Sequence, residues 1–122
     1  MKPMDLVELI RDRLQGRAPK GKRRSSHWRN IRAHHLREHP RCHVCGGKKK
    51  LQVHHLIPFW VAPDLELEPT NLITLCEAGK YGVKCHLLFG HLGNFSRVNT
   101  QCEADAAEWR VKFRTKHRLA KK

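Results

Sequence analysis

Negative charge is scarce in this sequence. Eleven of its 122 residues are Asp or Glu, against 25 Lys and Arg, for a formal charge of +14. So large an excess costs self-repulsion, which argues against solubility as its only purpose and for a polyanionic partner. Long apolar runs are missing as well. No stretch of about 18 apolar residues exists to form a membrane span. No apolar h-region follows the start, so no secretory signal is expected and the chain is expected in the cytoplasm. The hydrophobic fraction is only 39%. That is modest for a domain of this size, and a structural metal would help such a chain fold. No internal repeat is present.

Cysteine is sparse and odd in number. Cys42, Cys45, Cys76, Cys85 and Cys102 make five. A reducing cytoplasm disfavours disulfides, and the first two form a Cys-x-x-Cys pair, so metal binding is the expectation.

The chain divides by composition into three parts. Residues 1–25 carry apolar positions at helical spacing over 4–14, then a basic linker with Gly, Lys and Arg. Residues 26–101 form the central domain. Within it, 26–40 reads as a helix with Ser26 at its N-cap and Pro40 at its end. Trp28, Ile31 and Leu36 face a core there, and His27, His34, His35 and His39 lie on the surface. A knuckle at Cys42–Cys45, a turn at Gly46-Gly47 and a strand built on Leu51, Val53 and Leu56 follow. Residues 60–70 read as a loop, 71–76 lead toward a helix or short turn, and 85–95 read as a helix with a glycine-rich exit. Residues 102–122 read as a basic terminal helix whose packing side is Ala106, Ala107, Trp109, Val111 and Phe113.

Four cysteines have metal-ligand spacing. Cys42 and Cys45 aim two thiolates at one point, and Cys76 and Cys85 supply a second pair about thirty residues later. Four thiolates around one tetrahedral ion make a closed, structural zinc site. The second pair is spaced widely, with EAGKYGVK between, and His86 is an alternative fourth ligand. Buried free cysteines, or a Cys42/Cys45 redox pair, are the plainer reading. Cys102 has no partner and is expected to pack in the core.

The segment LQVHHLIPFW sets His54 and His55 side by side in an apolar strand, directly after the knuckle. With Asn71 before Cys76 and His86 after Cys85, the order CHVCGG…LQVHHLIP…TNLITLC…KCHLLFGH resembles the HNH endonucleases of the ββα-metal class over roughly residues 26–95. The resemblance implies an α+β fold: a small ββα-metal (His-Me finger) core with zinc knuckles, flanked by N- and C-terminal helices. It implies a metal-dependent DNA endonuclease in which His55 is the general base. His54 and His86 hold a catalytic divalent cation (Mg2+, Mn2+, Ni2+ or Zn2+), and Asn71 ties down the loop and orients His55. His91 is a possible third cation ligand, although its five-residue spacing from His86 is imperfect for an α-helix. Asn71 as a mere helix cap, and His54 and His55 as core histidines, are the bland alternatives. The expected partner is DNA, held largely through its backbone, with no membrane. Arg23, Arg24, Arg29, Arg32, Lys48 and Lys49 are candidate contacts, and the basic segments 17–41 and 110–122 would clamp flanking phosphates. A non-catalytic zinc-binding nucleic-acid module shares the charge and the cysteines but has no use for His55 and Asn71. A protein-interaction domain is a further rival.

Overall fold

A computed structural model describes residues 24–78 and 82–120, with side chains described through 115. The expected helix over 4–14, most of the basic linker and Arg23 lie outside the described residues. Helix α1 spans Trp28–Glu38, strand β1 Leu51–His55, strand β2 Leu72–Cys76, a π-helical turn His86–Gly90 and helix α2 Cys102–Ala120. The architecture is therefore small α+β: one two-stranded antiparallel sheet with helices around it.

Helix α1 starts one turn position later than its sequence suggests. His27, not Ser26, holds the N-cap position, and no side chain caps it. Ser25 closes this end instead, its carbonyl accepting from Trp28 N–H at 3.2 Å and its hydroxyl from His27 N–H at 3.1 Å. Pro40 disfavours helical geometry in the residue before it, and His39 has left the helix with φ −131° and ψ 72°. The Thr74 hydroxyl donates to the His39 carbonyl at 2.9 Å, fastening the end of α1 to β2. His35 is not a surface residue as its basic setting suggests. It is buried, and its Nε2 has no hydrogen-bond partner.

β2 goes beyond the sequence reading, in which 71–76 leads toward a helix or short turn and no strand is assigned. Leu72 to Cys76 are all buried, so the run shows no alternation of polar and apolar residues. Periodicity cannot separate such a run from a buried helix. Its β-branched Ile73 and Thr74 suit a strand. The register pairs Leu51 with Cys76 and His55 with Leu72. It brings Asn71, just before β2, opposite Leu56, whose N–H donates to the Asn71 carbonyl at 2.8 Å. Between the strands, residues 56–71 fold as a loop with short 3-10 turns at Pro63–Leu65 and Pro69–Asn71.

The core joins Val44, Leu56, Ile73, Leu75 and Phe89 to the four paired cysteines, Cys102 and Ala106. Helix α2 enters through Cys102 and Ala106, with Phe113 packing partly against them. Ala107 and Val111 face solvent, contrary to the expected packing side, because a helix of this length buries only a narrow stripe. Trp109 is 40% exposed and rests one face on Phe89, ring centroids 5.7 Å apart. Buried Asn99 donates to the Phe89 carbonyl at 2.6 Å and to Asp105 at 3.0 Å. That pair of bonds ties the π-helical turn to the start of α2. Among the described residues, no helix is long and apolar enough to cross a membrane.

Candidate active site and metal centres

Two groups of metal-ligating side chains stand out among the described residues. In each, the candidate ligand atoms lie within 4.8 Å of one another. The first is Cys42, Cys45, Cys76 and Cys85, all buried. The knuckle loop supplies two sulfurs, the end of β2 the third, and the residue entering the π-helical turn the fourth. Cys45 Sγ and Cys76 Sγ are 3.6 Å apart. A disulfide needs about 2.05 Å. A tetrahedron with bonds of about 2.3 Å to a central ion has edges of roughly 3.8 Å, so the spacing fits a shared metal. Gly47 N–H donates to Cys45 Sγ at 3.4 Å, as a knuckle that holds thiolates requires. The hydrogen bond from Cys85 holds the Cys42 thiol well below the usual range, while burial pushes Cys76 up. A divalent cation would compensate the clustered sulfur charge. His86 lies in the second group, so it is not placed among the sulfurs as the alternative fourth ligand.

The second group is His54, His86 and His91. His54 comes from β1; the other two come from the π-helical turn and the residue after it. In an α-helix at about 100° per residue, positions five apart sit roughly 140° apart around the axis. The i→i+5 pattern of a π-turn brings them to one side. The His86 and His91 ring centroids are 4.9 Å apart, and His54 lies 5.0 and 4.8 Å from them. Gly90 makes this possible. A Cβ there would sit 3.1 Å from His54 Cε1, 3.2 Å from His54 Nδ1 and 3.2 Å from His86 Cδ2.

Hydrogen bonds set the tautomers. His86 Nδ1 donates to Glu77 Oε1 at 2.6 Å and His91 Nδ1 to the Arg97 carbonyl at 2.9 Å. Each leaves Nε2 with its lone pair, and His86 Nε2 lies 3.2 Å from His54 Nδ1. Burial first, then the charges of His86, His91 and His55, push the His54 imidazole down to about 3. All three rings can therefore offer nitrogen lone pairs to a cation, and a carboxylate or carbonyl behind a ligating imidazole raises its basicity and fixes its angle.

His55 is not one of these three candidate ligands, although it lines the same cleft. Its Nε2 donates to the Glu66 carbonyl at 2.9 Å, and the Trp28 ring stacks on it with centroids 4.5 Å apart. Nδ1 is then the basic atom. Burial lowers the His55 pKa, the Glu66 carbonyl opposes this, and the Arg24 charge adds to the lowering. Asn71 pins the loop behind it: Oδ1 accepts from Ile57 N–H at 2.8 Å, and Nδ2 donates to the Ile57 and Leu65 carbonyls, each at 3.1 Å. Leu65 directly precedes Glu66, so Asn71 fastens the loop one residue before the carbonyl that accepts from His55. A cleft of about 240 Å³ is lined by Arg24, His54, His55, Phe59, Trp60, His86 and His91.

Residues 42–87 match the HNH endonuclease family. No curated protein and no solved structure matches the chain. The HNH family suggests nuclease activity and action on nucleic acids. The HNH match covers both cysteine pairs, His54, His55, Asn71 and His86, and stops short of His91.

The candidate nucleic-acid contacts are dispersed. Arg24 sits at the cleft, its guanidinium 4.4 Å over the Phe59 ring and 3.6 Å from buried Glu66. Arg29 is exposed on α1, and Arg32 donates to Gln52 at 3.3 Å. Lys48 and Lys49 are exposed beyond the knuckle, inside the matched stretch. Sequence reasoning missed Glu77, the backing of His86; a lone acid after a cysteine carries no motif. It also missed that Trp28 stacks on His55, because an apolar helix position announces burial and not its neighbour.

Proposed function

We propose that the chain is a metal-dependent HNH endonuclease that hydrolyses DNA phosphodiester bonds. The observation that carries this reading is a single cleft lined by His54, His86 and His91 together with His55, whose Nε2 is tied to the Glu66 carbonyl. His55 takes the proton from the attacking water. The Glu66 carbonyl and the Trp28 ring keep that imidazole in one tautomer and one orientation, and Asn71 holds the loop that carries the carbonyl. Arg24 offers positive charge to the phosphate. A divalent cation held by the three imidazoles would supply Lewis-acid stabilisation of the leaving 3′-oxygen. Imidazole ligands suit Ni2+ and Zn2+ better than Mg2+. The four cysteines would hold a structural Zn2+ that maintains the fold of the 26–101 domain, flanked by residues 1–25 and 102–122. Arg29, Arg32, Lys48 and Lys49 would contact the backbone on either side, with Arg23 beside Arg24.

Plasmid nicking with Mg2+, Mn2+, Ni2+ or Zn2+ added, and with chelator, tests the reading. Cleavage is expected with at least one cation and should leave 5′-phosphate ends. His55→Ala should lower the rate about 100-fold or more, the scale of a lost general base, while leaving DNA binding intact. A His55→Ala protein that cuts at the wild-type rate refutes the base assignment. Binding without any cutting under all four cations leaves the non-catalytic zinc module as the better description.

A further inference from the structure

A cleft larger than the histidine one opens on another part of the molecule. It measures about 590 Å³ and lies between the knuckle loop and α2. None of its lining residues lines the histidine cleft. Its floor is Cys42 to Gly46, the turn that carries two of the metal-ligating sulfurs, and its walls carry Arg41, Arg110 and Arg114. Glu38 is the acidic residue in the lining, beside His39 and His43.

Arg110 and Arg114, on α2, have no ion-pair partner among the described residues. Lys112, on the same helix, is paired: it lies 3.0 Å from Glu108 and 4.5 Å over the Trp109 ring. Two like charges at i and i+4 repel and destabilise a helix by a few tenths of a kcal/mol, unless an anion lies between them. Arg41 adds a third guanidinium, steadied by donation from Nη1 to the Gly46 carbonyl at 3.3 Å. Planar forks at three points of a concave wall fit phosphodiester oxygens better than point charges would.

We infer that the knuckle–α2 cleft is a second nucleic-acid contact, in which Arg41, Arg110 and Arg114 hold the phosphate backbone of duplex flanking the cut. This rests on the reading of the chain as acting on nucleic acid and deepens it. The two clefts share no lining residue. Long duplex that engages both is gripped at two places, and the turn bearing Cys42 and Cys45 forms the floor of the second.

Salt-dependent binding tests this. In a His55→Ala background, which keeps the substrate intact, affinity for a duplex of about 30 base pairs is measured across a salt series. Replacing Arg110 and Arg114 by Ala should weaken binding at least tenfold and make the log–log salt slope shallower by roughly 1.8, the loss of two phosphate contacts. The Arg110→Lys/Arg114→Lys pair should keep most of the slope. Lys84→Ala/Lys112→Ala removes the same net charge and should change the slope far less. In the cleavage-competent chain, the Arg-to-Ala pair should raise KM and leave kcat unchanged. Metal content and the melting profile establish that each variant folds. An unchanged slope, or equal shifts for both Ala pairs, overturns the inference. So does a cleft that binds polyglutamate through these arginines while duplex binding stays as in the parent. If the Arg-to-Ala pair shows the expected slope change but wild-type protein never cuts duplex, the endonuclease reading fails and the second contact stands.

Discussion

Glu77 shows how one residue sets the chemistry of another. Its carboxylate accepts from His86 Nδ1 at 2.6 Å, which obliges Nε2 to present its lone pair toward His54. Removing such a partner behind a metal-ligating histidine typically costs about 10- to 100-fold in metal affinity. Glu77→Ala should show that loss in calorimetric titration of Ni2+ into protein whose cysteine site is already filled. Glu77→Gln, which keeps an acceptor without the charge, should fall between. An affinity unchanged by Glu77→Ala would show that the ring holds its angle without help.

His35 provides the second test at this scale. Burial, with His39, His43 and His34 nearby, lowers its pKa from 6.5 to about 4. The unfolded chain therefore binds more protons at this position than the folded one between those values. Stability from a neutral His35 is complete above 6.5 and is lost as pH falls toward about 4. His35→Leu removes that proton linkage and a buried nitrogen without a partner. Urea midpoints for His35→Leu should decline less steeply than wild type across this window. Parallel declines would place the acid sensitivity elsewhere.

At the level of elements, the π-helical turn is the decisive device. Its five-residue repeat sets His86 and His91 side by side, and Gly90 lets the His54 ring lie against its backbone. Gly90→Ala would place a methyl group at 3.1 to 3.2 Å from both rings, closer than carbon contacts ordinarily allow. The turn must then shift or the rings must part. Cation affinity at the imidazoles should drop at least tenfold, with the cysteine site still loaded. Retention of both affinities would mean that the turn absorbs the methyl without opening. The pairing of His86 with His91 was hard to read from sequence for this reason: α-helical spacing is the default, and a π-turn announces itself only through tertiary contacts. β2 was hidden in a related way. A strand buried on both faces loses the alternation by which strands are recognised. β1 was legible because Leu51, Val53 and the paired histidines sit between turn residues.

For the molecule as a whole, the cysteine site is the organising centre. It joins the knuckle, the end of β2 and the start of the π-helical turn, and Cys76 and Cys85 directly precede Glu77 and His86. The same ion would therefore hold the fold and set the distance between those two partners. A structural zinc contributes about 10 to 16 kcal/mol in small domains, as much as the roughly 5 to 15 kcal/mol net stability of a typical protein. Losing one sulfur should thus unfold the chain. Cys42→Ser is expected to lose its metal and its cooperative melting transition, and the histidine site with them. A variant with wild-type melting and full metal content would show that the sulfurs are ordinary core residues.

The order and kinds of residues were determined by sequence alone: two cysteine pairs, adjacent histidines between them, an asparagine and a histidine at the second pair, all in a strongly basic chain. Ligand chemistry is local, so residue type and spacing are enough to suggest it. Which histidines meet, which nitrogen each presents, and which arginines stay unpaired were decided only by tertiary structure. Those outcomes depend on contacts between segments distant in the chain, where a strand register, one π-turn and a few hydrogen bonds to carbonyl and carboxylate oxygens set every ring.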